Sequence, residues 1–209
     1  MDVAAVILAA GRGRKIWPYG DTRPKATLPV ANRPLIEHTI DHLREIGIRE
    51  IAVVYGHLGD QVREVAGRYK DAICVDQPKP TGTANAALRG LSVVRAEHVF
   101  ILYGDTFVLS EDLRAVLESH EEHPGSLTLL VSDWGGDQPQ SGIGVYSRNQ
   151  VAQAIVGHPR EDCSRYCGVV LFPKSFVEYI ERNPGIMTSV EVGVMPPLES
   201  ELAQSVELY

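Results

Sequence analysis

Apolar residues run without a break through residues 3–10 and stop at Gly11-Arg12-Gly13. A run apolar at both parities has no polar face for water, so it predicts a strand buried in a parallel sheet with helices above and below. The period then changes. Behind Pro34, which suits a first helical position, Leu35, Ile36, Thr39, Ile40 and Leu43 recur at helical spacing, and this stripe stops at Gly47. Residues 51–55 read as a second buried strand, and Val62, Val65, Ala66 and Tyr69 as one face of a second helix. A short strand at 72–75, a helix opening at 82–88 and a core strand at 99–103 complete the first half. That alternation predicts an α/β fold: a doubly wound, mostly parallel (Rossmann-like) sheet flanked by helices, with right-handed crossovers.

The second half is mixed. Leu113, Val116 and Leu117 share a helix face, residues 127–131 and 169–172 read as strands, and Gly144-Val145-Tyr146 opens an alternating, hairpin-like region. Phe176, Val177, Tyr179 and Ile180 make a last helical face. No linker, repeat or low-complexity run divides the 209 residues, so one domain over 1–209 is expected.

Candidate chemistry gathers where the predicted strands end. Gly11 and Gly13 let the backbone turn sharply and offer bare N–H groups to an anion. Arg14, Lys15 and Lys25, the last within Arg23-Pro24-Lys25, supply positive charge beside that turn. Together they predict a triphosphate site at the carboxyl edge of the sheet. No Gly-Lys-Ser/Thr closes the loop, so it is not a P-loop, and Ile16 stands where a dinucleotide fingerprint wants its third glycine. Asp105 ends a core strand at the same edge, where a carboxylate holds Mg²⁺ against phosphate oxygens or caps a turn. Gln77 offers an amide donor and acceptor together, and Gly82-Thr83 opens a helix whose N-terminus favours negative charge.

Composition narrows the field. A formal charge of −7, without a basic stripe, argues against nucleic acid as a partner. No apolar stretch reaches membrane-spanning length, and Met1 leads straight into the first strand, so no membrane partner and no leader are expected. Cys74, Cys163 and Cys167 are an odd set without zinc-ligand pairing, which predicts reduced thiols in a cytoplasmic protein. His38 and His42 stand one helical turn apart but flank an apolar stripe, and they read as a solvated helix face.

The run from Leu8 to His38, through Leu-Ala-Ala-Gly-x-Gly, Arg-Pro-Lys and Leu-Pro-Val-Ala-Asn-Arg-Pro-Leu-Ile-Glu-His, resembles the opening of the sugar-1-phosphate nucleotidylyltransferases. The resemblance implies a nucleotidyltransferase domain that takes a nucleoside triphosphate and a sugar 1-phosphate with Mg²⁺. Leu8, Ala9, Ala10, Gly11 and Gly13 would then hold the nucleotide, and Gln77, Gly82 and Thr83 would read its base, a pyrimidine (uracil or thymine), whereas Ser189-Val190-Glu191 to Met195-Pro196 is similar to guanylyl-transferring relatives and keeps guanine open. Lys15, Lys25 and Asp105 would be catalytic, Asp105 also binding the metal, and Gly144, His158 and Tyr166 would lie on the sugar side. Several positions depart from the family. Lys15 stands for its phosphate-clamping arginine, Gly157-His158-Pro159 for Glu-Lys-Pro, and Tyr166-Cys167-Gly168 for Asn-x-Gly. The closing Trp-x-Asp-x-Gly has no counterpart, nor does the carboxyl-terminal β-helix many members carry, so a truncated C-terminus is one expectation. Two classes stay open: a transferase, or a catalytically weak regulatory subunit that binds nucleotide within a homo- or hetero-oligomer.

Overall fold

The computed structural model describes residues 1–79, 81–133, 142–157, 163–177 and 206–208. In chain order the elements are β1 (Val3–Ala9), β2 (Pro29–Val30), β3 (Arg33–Pro34), α1 (Leu35–Glu45), β4 (Ile51–Tyr55), α2 (Gly59–Ala66), β5 (Ala72–Asp76) and α3 (Thr83–Leu91). They continue with β6 (His98–Tyr103), α4 (Ser110–Glu122), β7 (Leu127–Ser132), β8 (Ile143–Arg148), β9 (Val151–Gly157), β10 (Ser164–Pro173) and β11 (Val206–Leu208).

Nine of these strands form one sheet in the order β5-β4-β1-β6-β10-β7-β11-β9-β8. β5, β4, β1 and β6 are parallel, and Ile7 of β1 sits between Val53 of β4 and Leu102 of β6. β10 then runs antiparallel to both β6 and β7, which makes the second half mixed as expected. The chain winds outward from β1 through β4 to β5 and crosses back to β6 on the other side. That reversal opens a crevice at the carboxyl ends of β1 and β6, the usual ligand position in such sheets.

The apolar run of β1 has a simple cause. Its alternate residues serve two cores: Ala4, Val6 and Leu8 pack with Ala86, Ala87 and Leu91 of α3 on one face. Ala5, Ile7 and Ala9 pack with Ile36, Ile40 and Leu43 of α1, Val62 and Val65 of α2, and Leu113 and Val116 of α4 on the other. α3 lies close enough to the sheet that a Cβ on Gly90 would meet Val6 Cγ1 at 2.2 Å and Val54 Cγ2 at 3.1 Å. Gly90→Ala is therefore expected to destabilise the fold by ~1–3 kcal/mol through overpacking. An unchanged urea midpoint in that variant would contradict this packing.

Element ends differ slightly from the sequence expectation. Pro34 is the N-cap of α1 rather than its first helical residue, because it also pairs in the two-residue β2–β3 ladder. Tyr69 lies beyond α2, which Gly67 caps by donating to the Arg63 carbonyl. Lys174–Phe176 is a single 3-10 turn, and the helical face expected at Tyr179 and Ile180 lies outside the described residues. β8 and β9 do form a hairpin; Asn149 and Gln150 between them both have positive φ, as a two-residue turn matched to strand twist requires.

His120 of α4 is fully buried, its Nε2 2.9 Å from His98 Nδ1 and its Nδ1 3.0 Å from Thr128 Oγ1. Burial, reinforced by His98, pushes its pKa down to about 4. The unfolded chain takes up that proton near the ordinary value of about 6.5, so it binds more protons than the native state between these pH values. Stability is expected to be full above about pH 6.5 and to decline toward pH 4, by on the order of 2–3 kcal/mol from this group. Denaturation curves at neutral and mildly acidic pH would show the loss in the parent and a flatter response in His120→Gln. An equal loss in both would place the sensitivity elsewhere.

Candidate functional site

A cavity of about 520 Å³ opens at the crevice between β1 and β6. Leu8, Ala9, Ala10, Gly11 and Gly13 form one wall, where β1 ends. Gln77, Gly82 and Thr83 form a second, between β5 and the start of α3. Asp105 and Lys25 face them from the segment after β6 and the turn at residues 25–27. With Arg14, eleven of the residues singled out from sequence thus share one space.

Charge is concentrated there. Lys25 Nζ lies 2.9 Å from Asp105 Oδ2, both side chains partly exposed, and the pair engages one of the two carboxylate oxygens. Arg12 and Arg14 also line the cavity. Three cations against one carboxylate leave the wall positive, in a protein negative overall. Thr83 begins α3 with no side-chain cap, so the first N–H groups of that helix add to the anion-favouring field.

The glycine loop is held in shape from two sides. Gly13 has φ 65°, in the left-handed region, and starts a 3-10 turn over Arg14–Ile16. Gly20 packs onto it so closely that a Cβ there would lie 2.6 Å from the Gly13 carbonyl oxygen. His57 Nε2 donates to the Gly20 carbonyl at 2.9 Å, and Gln61 Nε2 to the Thr22 carbonyl at 2.9 Å. These two anchors come from the end of β4 and from α2 and escaped the sequence reading. Their one signal was position, since Tyr55-Gly56-His57 leaves the sheet at the same edge as Gly11.

The loop geometry also separates two neighbouring cations. Arg14 lines the cavity, while Lys15 is exposed and outside its walls. Successive residues of a 3-10 turn point about 120° apart, so the two side chains leave the turn in different directions. Lys15, expected to act at the site, is not among the residues that line this cavity, and Arg14 is.

Of the expected sugar side, neither Gly144 nor Tyr166 is on this wall. Gly144 is buried in β8 opposite Val156 and Arg165, and Tyr166 is 7% exposed. The Tyr166 ring stands edge-on to Tyr103 at 6.2 Å, and Tyr103, missed from sequence, is the one that lines the cavity. Tyr166 therefore supports the wall from behind. His158 lies outside the described residues.

His38 and His42 do not make a metal pair. His38 Nε2 donates to the Val30 carbonyl and His42 Nδ1 to that of Val108, with Phe107 edge-on to both rings. They are half-buried anchors rather than the solvated face expected. Among the described residues no three His, Cys, Asp or Glu side chains gather as a metal cage. Cys74, Cys163 and Cys167 form no disulfide among the described residues, and no described helix is long and apolar enough to cross a membrane.

Comparison with known proteins agrees with this geometry. A family model described as the MobA-like NTP transferase domain matches residues 5–184. CMP-5'-(3-aminopropyl)phosphonate synthase of Streptomyces rubellomurinus is 39% identical over 138 residues, covering 63% of this chain and 21% of that protein. The bifunctional protein GlmU of Nitrosomonas europaea is 34% identical over 157 residues, 74% of this chain and 32% of that protein. The chain thus spans about a fifth to a third of the length of these curated relatives. A solved UDP-glucose pyrophosphorylase from Acinetobacter baumanii superposes with TM-score 0.81 at 22% identity, covering 100% of this chain and 86% of that one. That likeness establishes the shared fold.

Proposed function

The chain belongs to the MobA-like NTP transferase domain family, and from that premise we propose that it transfers a nucleoside monophosphate from a pyrimidine triphosphate to a sugar 1-phosphate. The observation that carries this reading is the meeting of four features in one cavity: the β1 glycine loop, the cations Arg14 and Lys25, the Gln77–Thr83 wall and Asp105.

In the proposed reaction, a phosphate oxygen of the acceptor attacks the α-phosphorus. A new P–O bond forms there, the α–β bridging P–O bond breaks, and pyrophosphate leaves with its electron pair. The protein has little covalent work to do, so catalysis is positioning and charge neutralisation. Gly11 and Gly13 bring backbone N–H groups to the phosphates, and Arg14 supplies a planar guanidinium for bidentate contact. Lys25 is a point charge that leaves Asp105 for the triphosphate when nucleotide enters. Gln77 and the α3 start take the base, consistent with the CMP carried in the name of the phosphonate synthase.

Asp105 fits Mg²⁺: one partly exposed carboxylate on the cavity wall opposite the glycine loop suits an ion that retains water and binds substrate phosphates, and among the described residues no larger cage surrounds it. When bound, Mg²⁺ supplies neutralisation of the phosphate oxygens' charge.

Thermal-shift titration with the common triphosphates in Mg²⁺ tests the nucleotide half of this reading. A ligand that binds only the native state raises the midpoint with its concentration, and the largest rise is expected with a pyrimidine triphosphate. A response to GTP alone would sink the base assignment, and no response to any triphosphate would sink the whole.

A further inference from the structure

β5 ends the nine-stranded sheet: β4 pairs with one side of it, and among the described residues nothing pairs with the other. A bare strand edge is a template for another strand. Its hydrogen bonds to β4 show which groups are bare. The Ile51 N–H donates to the Asp71 carbonyl at 3.2 Å and the Gln77 N–H to the Tyr55 carbonyl at 2.7 Å, so the odd-numbered residues from 71 to 77 face β4. Ala72, Cys74 and Asp76 therefore turn their main-chain groups outward. Two of those groups are taken within the chain. The Ala72 N–H donates to the Tyr69 carbonyl at 3.1 Å, and Arg89 Nη1 donates to the Asp76 carbonyl at 3.1 Å. What stays open among the described residues is the Ala72 carbonyl, both groups of Cys74 and the Asp76 N–H.

We propose that this edge is the interface for a second copy of the chain, which lays its own β5 antiparallel across a two-fold axis at Cys74 and joins the two sheets. The open groups are self-complementary in that register. Each Cys74 exchanges N–H and carbonyl with Cys74 of the second copy, and each Asp76 N–H reaches the other copy's Ala72 carbonyl. The groups that would stand opposite without a bond, the Ala72 N–H and the Asp76 carbonyl, are the two already satisfied. Sliding the pair by two residues either way sets Cys74 against one of these occupied groups, so the edge specifies its register.

Side chains agree with the same pairing. Ile73, large, apolar and 45% exposed, comes opposite Val75 of the second copy at a closely spaced position, and Val75 already packs on the core beside α3. Lys70 and Asp76 are exposed, with no side-chain partner among the described residues, and lie diagonally across the axis with opposite charge. A two-fold contact of this kind closes on itself as a dimer. Because the strands are antiparallel, the two cavities open at opposite edges of the joined sheet and neither is covered. The interface also braces the strand that leads into Gln77, and it does not depend on which ligand the cavity takes.

Sedimentation equilibrium of the unsubstituted protein is expected to show a monomer–dimer equilibrium. Ile73→Lys places a charge in the apolar contact and is expected to raise the dimer dissociation constant at least about tenfold, with an unchanged far-UV spectrum. Ile73→Val is expected to stay dimeric. Cross-linking reads the register separately. In a background with Cys74→Ser, Cys163→Ser and Cys167→Ser, one protein carries Ile73→Cys and another Val75→Cys. Paired Cα atoms at such positions lie ~4.5 Å apart, within disulfide range, so oxidation is expected to link the two proteins in a mixture and neither with itself. An unsubstituted protein that sediments as a monomer at every concentration overturns the proposal. So does a dimer that Ile73→Lys leaves intact, or a mixture that links no better than either protein alone.

Discussion

Asp105→Asn is expected to lower turnover by about two to three orders of magnitude while leaving the fold intact, the size of effect seen when one preorganised electrostatic partner is removed. The substitution preserves shape and removes one negative charge from the end of β6. In the structure that carboxylate faces a positive wall and is held at 2.9 Å by Lys25. On the proposed function its negative charge serves twice, as a partner for Lys25 before nucleotide arrives and as a metal ligand afterwards. Neither role contributes much to folding, because a partly exposed ion pair is worth ~1 kcal/mol or less. Steady-state turnover and a thermal melt of the same preparation check both halves. Near-normal turnover with an unchanged melt would remove Asp105 from the chemistry.

Lys25→Ala is expected to weaken triphosphate binding by about ten- to a hundredfold, the range for a charge-assisted hydrogen bond to phosphate. The melt without ligand should barely move, since Lys25 is partly exposed and its partner Asp105 can be hydrated once released. Calorimetric titration and a ligand-free melt separate the two roles. A sharp drop in the melt with affinity intact would make Lys25 a structural brace for the turn at residues 25–27. Lys25→Arg keeps the charge but offers a fork where a point donor meets Asp105, so it should recover only part of the loss.

Much of the fold was legible because the strongest patterns are local. The two-faced run of β1 and the stripe of α1 each follow from burial on known sides: alternate residues of β1 enter the two cores, and Ile36, Ile40 and Leu43 of α1 enter one of them. The end of α2 was harder: Tyr69 continues the helical spacing, but Gly67 terminates the helix and Tyr69 packs against the core from the turn beyond it. Periodicity alone cannot see a cap.

The candidate site was legible where it is contiguous with strand ends, as at Leu8 to Gly13 and Asp105. It was not legible where direction depends on backbone dihedrals. Arg14 and Lys15 are equivalent cations on paper, and only the left-handed Gly13 and the 3-10 turn behind it aim one at the cavity. Nor was it legible where distant strands decide. Tyr166, expected on the sugar side, pairs with Val131 of β7 and stands edge-on to Tyr103, which is the residue that lines the cavity. His57 reaches Gly20 across the sheet edge, and Arg89 reaches Asn85 and Asp76 across the α3–β5 junction. Such contacts are products of the fold, not of spacing.

The most direct test of the central claim follows the α-phosphorus. The purified chain is incubated with Mg²⁺ and a pyrimidine triphosphate labelled at the α-phosphorus, against a panel of sugar 1-phosphates and an aminoalkylphosphonate. Nucleotidyl transfer predicts that label appears in a new nucleotide-linked sugar, in step with release of one unlabelled pyrophosphate and only when a sugar 1-phosphate is present. Label that remains in the triphosphate with every acceptor, despite tight nucleotide binding, would contradict transfer and leave a nucleotide-binding regulatory subunit in its place.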